Sequence, residues 1–163
     1  MKPIETPETK ILLQDDLIKK VKDWKTGNKK VVFTNGCFDI LHPGHIYSLL
    51  QASKEGDYLV VGINADLSVK KIKGKDRPVN KETSRALVVA SLSMVDVVCI
   101  FSDETPLELI KSFLPDVLVK GGDYTLDQIA GAKEVIAAGG KVVLNPILDA
   151  FSTTSIIQKL TVG

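Results

Sequence analysis

Residues 31–45 read VVFTNGCFDILHPGH, and this stretch decides how the chain folds. Val31 to Phe33 are β-branched or aromatic and follow two lysines, a pattern that predicts a short buried strand. A turn containing Gly36 comes next. Pro43 suits the first turn of a helix, where its missing N–H costs nothing, and apolar residues then recur at helical spacing. The stretch therefore predicts a strand, a glycine-containing turn and a helix.

The two histidines of the chain, His42 and His45, both lie at the start of this predicted helix. The free backbone N–H groups of a helix N-terminus favour an anion, and Gly36 and Gly44 let the backbone approach it closely. A lone histidine is more often a surface residue or a satisfied core residue than a ligand. Two histidines within four residues at a strand-to-helix junction favour a phosphate site over that ordinary interpretation.

Composition limits the possible functions. The chain has 163 residues, 44% of them apolar and 25% charged, which is typical of one soluble globular domain. Its net charge of +1 argues against nucleic acid or an anionic membrane as a partner. No apolar run approaches the roughly 18 residues of a membrane span, and Met1 to Thr6 lacks a signal-peptide core. Cys37 and Cys99 lack metal-ligand spacing, so we expect reduced thiols and a cytoplasmic protein.

Strands and helices alternate along the rest of the chain. An arm, residues 1–13, precedes a helix whose apolar residues run from Leu13 to Trp24 and which ends at Gly27-Asn28. Thr105 is expected to cap a later helix, with Glu108 as its capping-box partner. Residues 65–81 are predicted to be a polar loop. Further buried strands are predicted at residues 58–64, 97–101, 116–120 and 141–144, with a last helix entered at 152–155.

This alternation predicts an α/β fold, a doubly wound parallel five-stranded sheet of the Rossmann-like type with helices on both faces. We assign residues 1–28 to an N-terminal arm and helix and residues 29–163 to the main part of a single globular domain. Ligands of such sheets bind at the carboxyl ends of the strands, where the strand order reverses. Four segments that follow strands are therefore expected to meet there: residues 34–45, 64–77, 121–124 and 151–155.

Basic residues after the second strand have an ordinary and a chemical interpretation. The lysines between positions 70 and 75, with Arg77, could form a solvated loop, yet one or two of these cations would neutralise bound phosphates. We expect Lys73 to serve in this way and Lys70, Lys71 and Lys75 to face solvent. Arg85 either pairs with Glu82 on the polar face of its helix or contacts phosphate.

The last two segments also allow two interpretations. Gly121-Gly122-Asp123 could be only a turn that ends a strand, or two glycines and a carboxylate that border a nucleoside. Ser152-Thr153-Thr154 could be only a helix cap, or a second phosphate cradle at a helix N-terminus.

Residues 36–45 resemble the His-x-Gly-His signature of the nucleotidyltransferase superfamily, whose members transfer a nucleotidyl group from a nucleoside triphosphate to a phosphate. Longer blocks are similar to the adenylyltransferase half of the bifunctional heptose enzyme of bacterial lipopolysaccharide synthesis, and the likeness runs from Lys29 to Leu160. The chain departs from that pattern in two ways. Its 163 residues do not include the sugar-kinase half, which we expect to be a separate protein, and Ala150-Phe151 stands where a glycine commonly precedes Ser152. The blocks are TNGCFD (34–39), RPVN (77–80), TPLELI (105–110) and VKGGDY (119–124).

The resemblance implies a role for each matching residue. The implied catalytic residues are His42 and His45, which contact the triphosphate and stabilise the leaving pyrophosphate, and Lys73, which reaches the phosphates. Asn64, Asp66 and Arg77 are implied to bind the acceptor substrate. The implied nucleotide-binding residues are Thr34, Asn35, Gly36, Cys37, Phe38, Asp39, Gly44, Arg85, Gly121, Asp123, Tyr124, Ser152, Thr153 and Thr154.

The activity implied by the resemblance is transfer of AMP from ATP to a sugar 1-phosphate, D-glycero-β-D-manno-heptose 1-phosphate, which gives ADP-heptose and pyrophosphate. The acceptor phosphate is already an anionic nucleophile, so the reaction needs no Ser/His/Asp set and no covalent intermediate. Two alternatives stay open. One is a cytidylyltransferase acting on glycerol 3-phosphate or another phospho-alcohol, and the other is a nucleotide-binding domain without catalysis.

The expected cofactor is Mg²⁺, held mainly by the nucleotide phosphates because the sequence shows no acidic cage and no protein metal site. The expected small-molecule partners are ATP and a sugar phosphate, the latter made by a separate sugar kinase. Self-association as a homo-oligomer is an expectation from the likeness alone.

Overall fold

The computed structural model describes residues 6–122, 124–146 and 151–161. Two short 3-10 turns, Pro7–Lys10 and Leu126–Gln128, accompany the regular elements. The strands are β1 (Val31–Gly36), β2 (Tyr58–Asn64), β3 (Val97–Phe101), β4 (Val117–Gly121) and β5 (Lys141–Asn145). The helices are α1 (Gln14–Thr26), α2 (Pro43–Ser53), α3 (Asp66–Lys73), α4 (Glu82–Ala90), α5 (Leu107–Phe113), α6 (Ala132–Ala137) and α7 (Thr153–Thr161).

The five strands form one parallel sheet in the order β3-β2-β1-β4-β5. The chain therefore winds outward from β1 in one direction through β2 and β3, and then crosses to the other side of β1 for β4 and β5. Parallel strands need crossover connections, and helices supply them between successive strands. The predicted doubly wound α/β fold is confirmed.

Apolar side chains cover both faces of the sheet, as the near-continuous apolar strands require. In β1, Val31 and Phe33 point to one layer and Val32 to the other, following the two-residue period of a strand. The first layer contains buried residues of α1, α5 and α6, and the second contains those of α2 and α4. The sheet is thus held between two hydrophobic cores.

The N-terminal arm and α1 belong to the same core as the rest of the chain. The backbone N–H of Leu12 donates to the carbonyl of Val98 at 2.9 Å, and Ile11 forms a parallel bridge with Val98, so the arm lies along the edge strand β3. Leu17 and Val21 of α1 are buried in the first layer. Residues 6–28 are therefore part of the globular unit.

Two local predictions are wrong. Residues 65–81 were expected to be a polar loop, but Asp66–Lys73 forms α3, because Ala65 and Val69 at helical spacing are buried while the lysines face outward. Thr105 does not cap α5, which begins at Leu107 after Pro106 and has no side-chain cap. In the described part of the chain, no helix is long and apolar enough to cross a membrane.

Candidate nucleotide site

A cleft opens where the strand order reverses, between the carboxyl ends of β1 and β4. β1 pairs with β2 as far as Gly36, whereas its pairing with β4 stops at Phe33 and Leu118. Beyond that point the two strands separate and leave a cleft of about 650 Å³. This is the position at which open α/β sheets bind ligands, and it confirms the convergence expected from the order of the strands.

Most of the predicted site residues line this cleft. Thr34, Asp66 and Arg85 do not, and Asp123 lies outside the described residues. Thr34 is buried within β1, so its side chain does not reach the cleft. The predicted residues that line the cleft are Asn35, Gly36, Cys37, Phe38, Asp39, His42, Gly44, His45, Asn64, Lys73, Arg77, Gly121, Tyr124, Ser152, Thr153 and Thr154.

The two imidazoles are stacked on each other at the start of α2. His42 is the N-cap residue of the helix, and the ring centroids of His42 and His45 are 3.8 Å apart with an interplanar angle of 24°. Gly44 permits this arrangement, because a Cβ atom at that position would lie 3.0 Å from the His42 ring. The strand-to-helix junction thus presents two imidazoles beside free backbone N–H groups.

Burial keeps both imidazoles neutral at neutral pH. It lowers the pKa of His42, and burial together with the charge of His42 lowers the pKa of His45 to about 4. Within the described residues, neither Nδ1 atom has a hydrogen-bond partner although both are buried. Each neutral ring carries one N–H that it can donate to a phosphate oxygen.

Asp39 holds two loops of the site together. Its buried carboxylate accepts hydrogen bonds from the Arg77 Nε atom at 2.7 Å and from the backbone N–H groups of Val79 and Asn80, both at 2.9 Å. Burial by itself raises the pKa of Asp39, but these hydrogen bonds outweigh it and hold the pKa below its ordinary value. Asp39 therefore fixes residues 77–80 beside the motif, and the Nε atom of Arg77 is already engaged.

Arg85 lies inside the protein, so its predicted place on the polar face of the helix is wrong. Its side chain is 0% exposed, and it pairs with Asp66 at 2.8 Å and not with Glu82. The guanidinium also donates to the backbone carbonyls of Cys37, Asn64 and Asn80. These carbonyls belong to the loop after β1, the last residue of β2 and the loop before α4, so Arg85 positions the rim of the cleft and does not reach into it.

Asp66 is occupied in the same network, which corrects its predicted role in substrate binding. Its carboxylate accepts hydrogen bonds from Arg85 and from the backbone N–H of Glu82, while its own backbone N–H donates to the Glu82 carboxylate at 2.7 Å. This reciprocal pair ties the start of α3 to the start of α4. Neutralising a buried guanidinium requires such a carboxylate.

Lys73 is the last residue of α3 and lines the cleft. Lys70 and Lys75 are exposed and do not line it, as predicted, and the exposed Lys71 pairs with Glu104 at 3.3 Å. Of these four lysines, only Lys73 reaches the cleft.

Lys120 is a cleft residue that the sequence analysis did not assign to the site. It lies near the end of β4, and its ammonium donates to the Asn35 side-chain oxygen at 3.3 Å, across the gap between β4 and β1. Burial lowers the pKa of Lys120, and no carboxylate of the described residues forms a salt bridge with it. A lysine one position before the end of an otherwise apolar strand was the signal that could have identified it.

The Ser-Thr-Thr segment caps α7 and faces the cleft. The Ser152 hydroxyl accepts the backbone N–H of Ser155 at 3.0 Å, and the Thr153 hydroxyl donates to the Ile40 carbonyl at 3.3 Å. Both interpretations of this segment are therefore compatible with the structure, since a capping residue also lines the site. The contact with Ile40 attaches α7 to the histidine motif.

The chain is similar to known proteins over most of its length. The family model described as Cytidylyltransferase-like matches residues 33–159. The chain is 51% identical over 156 residues to the bifunctional protein HldE of Caulobacter vibrioides, covering 96% of this chain and 32% of that protein. It is 48% identical over 160 residues to the bifunctional protein HldE of Rhodospirillum rubrum, covering 98% of this chain and 32% of that protein. The chain thus spans about a third of the length of these curated relatives.

Two solved structures share the fold. The lipopolysaccharide core biosynthesis protein from Thermoplasma volcanium is 30% identical with a TM-score of 0.59, covering 73% of this chain and 96% of that one. Pantoate-beta-alanine ligase from Francisella tularensis is 15% identical with a TM-score of 0.58, covering 90% of this chain and 74% of that one. At that identity the second likeness concerns the fold alone.

Proposed function

Because the chain belongs to the cytidylyltransferase-like family of nucleotidyltransferases, we propose that it transfers AMP from ATP to D-glycero-β-D-manno-heptose 1-phosphate, with release of pyrophosphate. The observation that carries this proposal is the cleft itself. It places a stacked pair of neutral histidines and the N-terminus of α2 in one space with the cations Lys73 and Lys120. Two phosphorylated substrates need neutral hydrogen-bond donors and cations to bind their phosphates.

The triphosphate is proposed to lie against α2. Backbone N–H groups at the start of that helix and one N–H from each imidazole point toward the β- and γ-phosphates. An oxygen of the sugar phosphate attacks the α-phosphorus, the bond from the α-phosphorus to the bridging oxygen breaks, and that oxygen leaves on pyrophosphate. Negative charge grows on the leaving group during this step, so donors already fixed there stabilise the transition state more than the bound substrate.

Lys73 and Lys120 are proposed to neutralise the reacting phosphates. Lys120 is partly buried at the floor of the cleft, where the field of an ammonium is screened less than in water. Lys73 lowers the pKa of Lys120 through its charge, after the larger effect of burial, which indicates that the two cations share one region of the cleft. An anion between them relieves that repulsion, so acceptor phosphate and α-phosphate both have a reason to bind there.

Mg²⁺ is proposed to arrive with the nucleotide. Within the described residues, no group of three His, Cys, Asp or Glu side chains could hold a metal ion, and both carboxylate oxygens of Asp39 already accept hydrogen bonds. The phosphate oxygens are therefore the proposed ligands, and the ion adds positive charge where the triphosphate is most negative.

Heptose as the acceptor is supported by the similarity to the bifunctional HldE proteins over nearly the whole chain. That similarity covers a third of the length of the HldE proteins, so a sugar kinase that supplies the phosphorylated heptose is part of the proposal. A cytoplasmic location and self-association are proposed as well. Adenine is proposed to be selected by backbone groups near Gly121 and Tyr124, which border the cleft.

Pyrophosphate release tests the proposal directly. The protein is incubated with ATP or CTP and with heptose 1-phosphate, glycerol 3-phosphate or a phospho-alcohol. We expect turnover with ATP and heptose 1-phosphate to exceed every other pair by at least about a hundredfold, because fixed donors reject a wrong base edge strongly. Comparable turnover with CTP and glycerol 3-phosphate would point to the cytidylyltransferase alternative. Nucleotide binding without turnover for any pair would point to a non-catalytic domain.

A further inference from the structure

The rings of the site lie in a row that ends at Phe151, in which Phe38 is tilted by 57° against His45 and the other neighbours are stacked. Phe38 lies 5.3 Å from His45, His45 lies 3.8 Å from His42, and His42 lies 6.3 Å from Phe151, measured between ring centroids. The planes of His42 and Phe151 are 17° from parallel. Phe38 and His42 lie between β1 and α2 and His45 lies in the first turn of α2, whereas Phe151 precedes α7. The outermost ring therefore comes from the segment just before the last helix.

Stacking replaces the usual way of fixing a functional histidine. Such a ring is commonly held by an acceptor that binds its second nitrogen. Neither His42 nor His45 has a partner for Nδ1 within the described residues. Rotation of these rings is therefore limited by the surfaces packed against them, which for His42 include the rings of His45 and Phe151.

Gly44 shows how closely these groups fit. A Cβ atom at position 44 would lie 3.0 Å from the His42 ring and 3.3 Å from the Phe151 Cβ atom. His42 and Phe151 therefore approach the same point of α2 from two elements. The 41% exposure of Phe151 indicates that its ring contributes little to the hydrophobic core.

We propose that Phe151 is a positioning residue, which holds the His42 imidazole in its working orientation by stacking against it. This rests on the proposed function, in which His42 donates to the triphosphate. A ring displaced from that orientation misdirects its N–H, and a misplacement on the order of 1 Å costs up to about a hundredfold in rate. Because Phe151 lies directly before the cleft-lining Ser152 and Thr153, the segment that borders the ligand at the start of α7 also orients the histidine.

The first test is independent of the substrate. Side-chain NMR follows the pH titration of both imidazoles in the unliganded full chain, for wild type, Phe151→Ala, Phe151→Leu and Phe151→Tyr. Burial lowers the pKa of His42 and its titrating neighbour is His45, so removing the ring should move the His42 titration toward pH 6.5. Phe151→Tyr should leave it unchanged. A His42 titration and chemical shift in Phe151→Ala that match wild type would overturn the proposal.

The second test uses steady-state kinetics with Leu160→Ala as a control. Leu160 is on α7 and 75% exposed, so its removal should alter neither turnover nor the His42 titration. Phe151→Ala should lower kcat about tenfold with a smaller change in the KM for ATP. Phe151→Leu should lower kcat by nearly as much. Phe151→Tyr should keep kcat close to that of the wild type. A moved His42 titration with wild-type kcat would overturn the positioning role. A wild-type protein without turnover on any substrate pair would count against the proposed function, while the NMR result would still decide the packing.

Discussion

Two sets of polar residues near the cleft use their polar groups in opposite ways. Arg85 of α4 and Asp39 of the loop after β1 are fully buried charges whose hydrogen-bonding atoms are engaged by neighbouring segments. His42 and His45 at the start of α2 are neutral rings that are held by stacking, and within the described residues the Nδ1 atom of each has no hydrogen-bond partner. The protein itself supplies the hydrogen-bond partners of Arg85 and Asp39, whereas the two histidines can still form hydrogen bonds with a ligand.

This difference separates structural from functional residues in a site where both kinds resemble phosphate ligands. A guanidinium that already donates to three carbonyls and one carboxylate cannot also bind a phosphate without breaking them. A cation or imidazole without a strong partner in the fold can form a hydrogen bond or ion pair with a ligand without breaking an existing one. By this criterion we propose that His42, His45, Lys73 and Lys120 take part in the chemistry and that Arg85, Asp66 and Asp39 hold the scaffold.

The largest effect is expected from Arg85→Met. The substitution leaves three loop carbonyls and the Asp66 carboxylate without their donor, which should lower the free energy of unfolding by about 3–5 kcal/mol. Urea unfolding measures it. Lys133→Met is the control, because that lysine and Asp127 are about four-fifths exposed, 80% and 84%, and such pairs contribute at most about 1 kcal/mol. Equal losses for both variants would show that Arg85 is not a structural hub.

The next largest effect is expected from His42→Ala and His45→Ala, on turnover and not on stability. Each should lower kcat about 10²–10³-fold because the lost donor acts on charge that develops in the transition state. ATP binding, measured by calorimetry, should change much less. A rise in KM with wild-type kcat would mean that the imidazoles bind the substrate and its transition state equally well.

A smaller effect is expected from the lysines of α3 and the loop after it. Lys73→Ala should lower kcat by about tenfold to a hundredfold, since it removes a cation that lines the cleft. Lys75→Ala serves as the matched control, because Lys75 is exposed two residues away and should stay within about twofold of wild type. Similar mild losses of kcat for both variants would indicate that the lysines attract the substrates by a diffuse positive charge and that no single lysine is dedicated to catalysis.

The last predicted effect concerns the pH dependence of stability. His45 has a pKa of about 4 in the folded chain and an ordinary value of 6.5, so the unfolded chain binds more protons between these values. Stability from this group is complete above pH 6.5 and falls as the pH drops toward 4. Asp39, whose pKa is lowered from 3.8, is affected only at still lower pH.

His45→Gln should therefore flatten the loss of stability between pH 6.5 and 4, as measured by urea unfolding at a series of pH values. The loss of stability below pH 4 should remain, because Asp39 is unchanged. An unaltered slope between pH 6.5 and 4 would show that burial of His45 is not coupled to folding.

The sequence by itself determined the class of fold and the place of the site. Strands β2 and β3 were predicted with their observed bounds, because short β-branched runs between turn residues have few other stable conformations. The histidine motif was identified because its residues are adjacent in the chain. Such features depend on neighbours within about ten positions, which a single sequence displays.

The tertiary structure alone decided which charges are available. Arg85 and Lys73 are both cations near the second crossover, yet packing buries one beneath three carbonyls and leaves the other at the cleft. Lys120 and Asn35 are 85 residues apart in sequence, and they meet only because β4 lies beside β1. The stack of Phe151 on His42 likewise depends on where α7 packs. Local sequence does not encode these partners, since burial and hydrogen bonding across long separations follow from strand order and helix packing.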